Sequence, residues 1–464
     1  MNRIRLGVFS LFLSVLLLNG CSGSSMNTPQ SQSAAVSFTM TDTPPAGVTV
    51  LSFEVNLTGA TLSPGGADLL AVRGPVSIEV ENLETESAFL NTAKIMPGTY
   101  TGLSLTFANP EVTFKNDTTA PLAGCAVGAV CEIKPTGTLT SMVSFPPPGI
   151  TLGANSATGL QVDVNPNTIL SAMMSVDFSL AGAVSVQQLT VKREGELDDV
   201  DELRGSVQNL DTMHNTFTLH SMAGDFPITT DTNTQFEFES CAANNFSCLK
   251  NNQVVEVDVR LMAGGIFLAK EISFEDEAED DELEGIVFKI DDAMHFEMVV
   301  LDESRSINNV SVGNPVVVTL SSPSFRVQAE ELSVPIGLQG AFEGAVDTSQ
   351  LLPGQSVEIR LTAPVSSGPP VSATADRVRL RMTQFTANVS GAPAPPNFTV
   401  GSLPSLFTTA GITSIHVQTS SQTDFQGVTG VSGLADGNTV SLKGLLFKNG
   451  ANPPELIAKK VRKR

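Results

Sequence analysis

The strongest constraint on this chain is an apolar pattern with a period of two. Leu51, Phe53, Val55 and Leu57 alternate with Ser52, Glu54 and Asn56. Val76, Ile78 and Val80 repeat the pattern, and Leu103, Leu105 and Phe107 follow the turn Pro97-Gly98-Thr99. Leu160, Val162 and Val164, then Val176, Phe178 and Leu180, continue it. Side chains of a strand point alternately to its two faces, so this pattern sets one face in a core and the other in water. That is the arrangement of an antiparallel sandwich. No long segment keeps the i, i+3, i+4 apolar rhythm of a helix. With 38 Gly and 27 Pro recurring at short intervals, the chain reads as all-β, with many short strands joined by turns. An antiparallel β-sandwich of immunoglobulin or prealbumin type is expected over residues 36–193.

Beyond residue 193 the chain repeats itself. Asp201-Glu202-Leu203-Arg204-Gly205-Ser206-Val207 returns as Asp281-Glu282-Leu283-Glu284-Gly285-Ile286-Val287, and His214 nearly matches His295. A second signature occurs three times, as Gln253-Val254-Val255-Glu256-Val257, Gln355-Ser356-Val357-Glu358-Ile359 and Asn438-Thr439-Val440-Ser441-Leu442. Each copy follows a Leu and a turn. Each precedes a closing strand: Ala269-Lys270-Glu271-Ile272, Ala375-Asp376-Arg377-Val378 and Ala458-Lys459-Lys460-Val461. Three units are expected, 203–276, 283–381 and 382–464. Each has room for five or six short strands, enough for a small antiparallel barrel of OB type, whose closure removes exposed edges. Acidic runs at 194–202 and 277–282 read as solvated, self-repelling linkers.

Residues 1–20 have the layout of a secretory signal: Arg3 and Arg5, then an apolar core from Val8 to Leu18 that is too short to span a bilayer. Leu18-Asn19-Gly20-Cys21 resembles the lipobox of bacterial lipoproteins. That resemblance implies diacylglyceryl attachment at Cys21, and Ser22 after it resembles the outer-membrane sorting pattern of Gram-negative lipoproteins. Residues 21–35 read as a flexible Ser-, Gln- and Asn-rich tether. The expected location is therefore the cell envelope, at the outer membrane. Export places the other four cysteines in an oxidising compartment. Cys125 with Cys131 and Cys241 with Cys248 then read as two local disulfides, each worth roughly 2 kcal/mol.

Residues 36–192 resemble the family catalogued as domain of unknown function 4382, through Thr41-Asp42-Thr43-Pro44 and Pro97-Gly98-Thr99-Tyr100-Thr101. The three repeats resemble domain of unknown function 5666, through their Gly-x-Val openings, the Gln-x-Val-Glu-Val strand and the final Ala-Lys-x-Ile/Val strand. The third repeat departs most, with a Pro-rich stretch at Ala392-Pro393-Ala394-Pro395-Pro396. Neither resemblance implies an activity or a catalytic residue.

Chemistry-bearing patterns are sparse. A net charge of −22 disfavours nucleic acid, whose affinity comes from Lys and Arg displacing counterions. The acidic runs could offer calcium its oxygen ligands, but they lack a spaced loop with Gly at the turn and do not meet the D-x-[DN]-x-[DN]-G pattern. His214 and His295 read as turn residues rather than metal ligands, and no cofactor is expected. There is no G-x-S-x-G, HExxH, Walker loop or dinucleotide fingerprint. With no Trp and one Tyr, a stacking surface for sugars or bases is poorly supplied. The reading is a non-enzymatic, lipid-anchored scaffold or interaction protein, in contact with the membrane through Cys21 and with an envelope protein or glycan partner. A glycan- or calcium-binding surface module is the first alternative and an envelope hydrolase the second.

Overall fold

The computed structural model describes residues 34–42, 49–70, 75–80, 83, 85, 88–154, 157–189, 199–221, 224–238, 241, 243–262, 266–274, 281–303, 307–329 and 332–464. The signal segment, Cys21 and the tether up to residue 33 lie outside the described residues, as do 194–198 and 277–280 of the acidic runs. The architecture is all-β: a sandwich followed by three small barrels.

The sandwich faces a four-stranded sheet against a six-stranded one. The first sheet has the order Val184–Leu189, Ala157–Val164, Ala34–Asp42, Ala88–Ile95. The second is centred on the long strands Thr49–Ser63 and Gly102–Lys115. Phe38, Met40, Leu160 and Val162 from one sheet meet Phe53, Leu57, Leu105 and Phe107 from the other, and Phe178 stacks on Phe107 with ring centroids 4.1 Å apart. The first sheet is not purely antiparallel as expected, because Ala34–Asp42 runs parallel to Ala157–Val164. Two strands so far apart in sequence need no hairpin, so nothing in the connection enforces an antiparallel pair. This strand also claims the last two tether residues: Ala34 is buried and pairs with Ile95.

Each repeat closes a ring of five strands. Barrel 1 uses Asp199–Asp211, Thr216–Ser221, Gly224–Thr229, Val254–Met262 and Ile266–Phe274. Barrel 2 uses Glu282–Ile290, His295–Glu303, Pro315–Val327, Ser356–Leu361 and Val371–Leu380. Barrel 3 uses Thr383–Val389, Asn397–Gly401, Ile415–Gln418, Thr439–Phe447 and Glu455–Lys463. In all three the ring runs first, second, third, fifth, fourth and back to the first. The third and fifth strands pair parallel, which corrects the all-antiparallel expectation; every other pair in the rings is antiparallel. The fourth strand lies beside the first, so the fifth must close against the third in the same direction. The opening Gly of the repeat is required by the close approach of the first and second strands: a Cβ on Gly205 would stand 2.7 Å from the His220 carbonyl oxygen, and one on Gly285 2.2 Å from that of Val299. Part of the first acidic run is strand rather than linker, since Asp199 and Val200 pair with Arg260 and Val259.

Bulges set how the modules meet. Leu51 does not share the sandwich core with Phe53, Val55 and Leu57 as the alternation implies. A register shift between Val50 and Ser52 turns it outward. Phe288 is turned out of barrel 2 by a similar shift between Val287 and Lys289. The two meet Val299 of barrel 2 and Leu406 of barrel 3 in a small buried cluster at the junction of three modules. Thr113 Oγ1 donates to the Gly313 carbonyl at 2.6 Å, and Asn314 Nδ2 to Glu132 Oε2 at 2.6 Å, binding the sandwich to barrel 2. Burial at this junction pushes the Glu132 carboxyl above its ordinary value, with the Asn314 bond partly opposing it.

Barrels 2 and 3 share one core. Leu445, Phe447 and Ile457 of barrel 3 pack with the interior of barrel 2, where Phe447 meets Phe342 of the short helix Ile336–Glu343 edge-on at 6.3 Å. The fully buried Gln355 donates from Nε2 to the Leu446 carbonyl at 2.7 Å. At Gly354, where φ is +92°, a Cβ would lie 2.1 Å from Cε1 of Phe407 of barrel 3. Barrel 1 differs: its core cluster, Leu203 to Ile272, contains no residue of another module.

Candidate functional site

A dense group of charged side chains lies where barrel 1 faces barrel 3, and it grows from one position of the repeat. In each barrel the fourth and fifth strands shift register at the same place, between Asp258 and Val259, Arg360 and Leu361, and Lys443 and Gly444. Just before the shift two residues stand directly opposite each other: Asp258 and Glu271 in barrel 1, Arg360 and Arg377 in barrel 2, Lys443 and Lys460 in barrel 3. Each is a like-charge pair, an arrangement that destabilises a sheet unless other charges offset it. The extra residue of each bulge is Lys270, Asp376 and Lys459 respectively. The position thus holds two acids and a Lys, two Arg and an Asp, and three Lys.

Barrel 2 offsets its pair from within. Arg360 grips Asp376 with two bonds, Nε to Oδ1 at 2.8 Å and Nη2 to Oδ2 at 3.0 Å, a planar fork on a carboxylate. Arg377 pairs with Glu282, while Arg379 reaches Glu358 at 2.8 Å and Arg381 reaches Glu284 at 2.9 Å. The Arg360 bonds hold the Asp376 carboxyl below its ordinary range. Glu282 moves the other way, because burial outweighs the nearby arginines.

Barrels 1 and 3 bring their copies together. Lys459 Nζ lies 3.7 Å from Asp258 Oδ2. Around this contact is a cavity of about 340 Å³ with Asp231, Asp258, Glu271 and Asp424 on its wall beside Arg260, Lys270, Lys443, Lys459 and Lys460. Lys443 is 4% exposed, Lys460 5% and Asp258 9%, so the charges sit in the seam and not on an open face. Leu332 of barrel 2 closes one side, where Ser333 bonds Gln422 of barrel 3. Burying a charge is costly unless an opposite one is close, and this seam supplies both signs.

The residues singled out from sequence lie elsewhere. Cys125 is bonded to Cys131 and Cys241 to Cys248, each stapling a loop within one module. His214 and His295 occupy matching hairpin turns. Their Nδ1 atoms lie 2.7 Å from Asp211 Oδ2 and 2.8 Å from Asp292 Oδ1, and the same carboxylates accept the backbone N–H groups of Met213 and Met294. Those bonds hold both carboxyls below their usual range, chiefly through His214 for Asp211 and through the Met294 N–H for Asp292. They are turn locks. Among the described residues no group of three or more His, Cys, Asp or Glu side chains is placed to hold a metal ion. A second, more open hollow beside the Cys241–Cys248 loop includes Asp231 and Asn245, whose side-chain oxygens accept backbone N–H groups of their own turns, and Thr230, whose hydroxyl donates to the Asn215 carbonyl. The charged seam was missed from sequence, although its residues stand in the repeat signature: the closing Ala-Lys-Glu-Ile, Ala-Asp-Arg-Val and Ala-Lys-Lys-Val differ in charge at matched positions.

Fold and seam together define a tandem β-module protein: a sandwich joined to three five-stranded barrels of OB-like strand order. Within it, residues 204–273, nearly all of barrel 1, match the family model described as Domain of unknown function (DUF5666). No curated protein and no solved structure matches the chain.

Proposed function

We propose that this protein is an exported, lipid-anchored scaffold of the cell envelope, attached to the outer membrane through a diacylglyceryl group on Cys21. The observation that carries the reading is the welding of the sandwich and barrels 2 and 3 into one body through the Leu51–Phe288–Val299–Leu406 cluster and the shared core around Phe447. A body of that kind holds surfaces at fixed spacing, which suits presentation to an envelope protein or glycan. Two disulfides fit an oxidising, exported environment. Among the described residues no helix is long and apolar enough to cross a membrane. In this reading the sandwich is a module similar to domain of unknown function 4382, and barrels 2 and 3 are further copies of the family matched by barrel 1.

Metabolic labelling with radioactive palmitate tests the anchor: label should enter the wild-type protein and be absent from Cys21→Ala. Affinity capture from detergent-solubilised envelopes tests the scaffold. Recovery of a stoichiometric envelope partner supports it, whereas label retained in Cys21→Ala, or a monomer alone in the eluate, defeats the corresponding half.

A further inference from the structure

We propose that barrel 1 is fastened to barrel 3 by an ionic latch, made from one repeat position whose charge is inverted between the two copies, and that raised ionic strength opens it. Three observations converge. The apolar core of barrel 1 is self-contained, while the other modules share apolar clusters with one another. At the seam an acidic pair, Asp258 and Glu271, meets the basic face Lys443, Lys459 and Lys460, and both groups occupy the same strand register in their own barrels. In barrel 2 the same position is offset by that barrel's own Asp376 and Glu282.

The chemistry favours a reversible fastening. Apolar contacts gain strength from excluded water and are not weakened by salt, whereas charge pairs reached by mobile ions are screened over a length of ~10 Å at ~0.1 M and ~3 Å at ~1 M. The cavity of about 340 Å³, bordered by nine charged side chains, is the route by which mobile ions would reach these pairs. Opening uncovers the lysine face of barrel 3, a surface complementary to an acidic partner, which barrel 1 occupies when the latch is shut.

The test uses the whole protein. Lysine acetylation by an N-hydroxysuccinimide ester, read peptide by peptide by mass spectrometry, should modify Lys443 and Lys460 about tenfold faster at ~1 M than at ~0.1 M NaCl. Lys94 of the sandwich, which is exposed, serves as the internal standard. Equal rates at the two salt concentrations would overturn the latch. Small-angle scattering at low salt supplies a second arm. The pair Asp258→Lys with Glu271→Lys, and separately Lys443→Glu with Lys459→Glu, should each enlarge the radius of gyration, and the four changes combined should restore the wild-type value. A combined variant as expanded as either pair would overturn it as well, and the wild-type labelling arm decides the matter even if a variant misfolds.

Discussion

Barrels 1 and 3 are built from the same five-stranded ring, yet different forces hold them in place. Barrel 3 lends Leu445, Phe447 and Ile457 to the interior of barrel 2, so neither barrel completes its core alone. The apolar core cluster of barrel 1 holds only its own residues, and barrel 1 meets its neighbour through a seam rich in charge. The cysteines follow the same division. The sandwich and barrel 1 each carry a disulfide, and barrels 2 and 3 contain no cysteine. A small domain buries a small fraction of its surface and is marginal by itself. Barrel 1 is stapled covalently, and barrels 2 and 3 gain by pooling their interiors. One fold is thereby used in two ways, as half of a welded pair and as an independent unit that docks.

The sharpest way to break this comparison is at the weld. Phe447→Ala empties a fully buried site in the shared core and should cost about 3–5 kcal/mol. Native-state hydrogen exchange should show protection falling in both barrels 2 and 3 and unchanged in barrel 1. A loss confined to barrel 3 would mean that the core is not shared energetically. Next comes Gly354→Ala, where a positive φ and the Phe407 ring oppose any side chain; the expected cost is about 2–4 kcal/mol. Its control is Gly437→Ala in the matching turn of barrel 3, which has a similar φ of +78° and open space around it, and should cost only about 1 kcal/mol by chemical denaturation. Replacing Cys241 and Cys248 together by Ser should cost about 2 kcal/mol, felt by barrel 1 alone.

The smallest effect is in pH. Asp376 is held below its ordinary value, first by the hydrogen bonds from Arg360. Its folded-state value therefore lies beneath its unfolded one. The stabilisation is complete above about pH 4 and is lost as the pH falls through the depressed folded value. Asp376→Asn should lower barrel 2 stability at neutral pH and flatten its acid limb, so that variant and wild type converge in acid, measured by urea unfolding on either side of that range. An unchanged acid limb would show that the fork is ornamental.

Much of this fold is legible in the residues. The alternation from Leu103 to Phe107 and the triple signature around Val255, Val357 and Val440 require paired strands of repeated units, because their periods leave no helical alternative. What stays hidden depends on partners remote in sequence. Leu51 reads as core because its neighbours alternate, and only the unequal pairing of Thr49–Ser63 with Gly102–Lys115 produces the bulge that turns it outward. The parallel third–fifth closure leaves no local mark either. The seam is half-legible: Glu271 and Lys460 can be aligned from sequence, but alignment does not reveal that barrels 1 and 3 face each other. The family match to residues 204–273 shares that limit, since it recognises a module and is silent on its neighbours.

The shared core also orders events in time. A chain that emerges from its amino-terminal side presents every strand of barrel 2 before Leu445, Phe447 and Ile457 appear. Barrel 2 must wait, its interior unfilled, while the sandwich and the stapled first barrel already hold all the partners their cores need. The interval before those late residues arrive is the molecule's most vulnerable moment, when a chaperone would find its binding surface and a protease its opportunity.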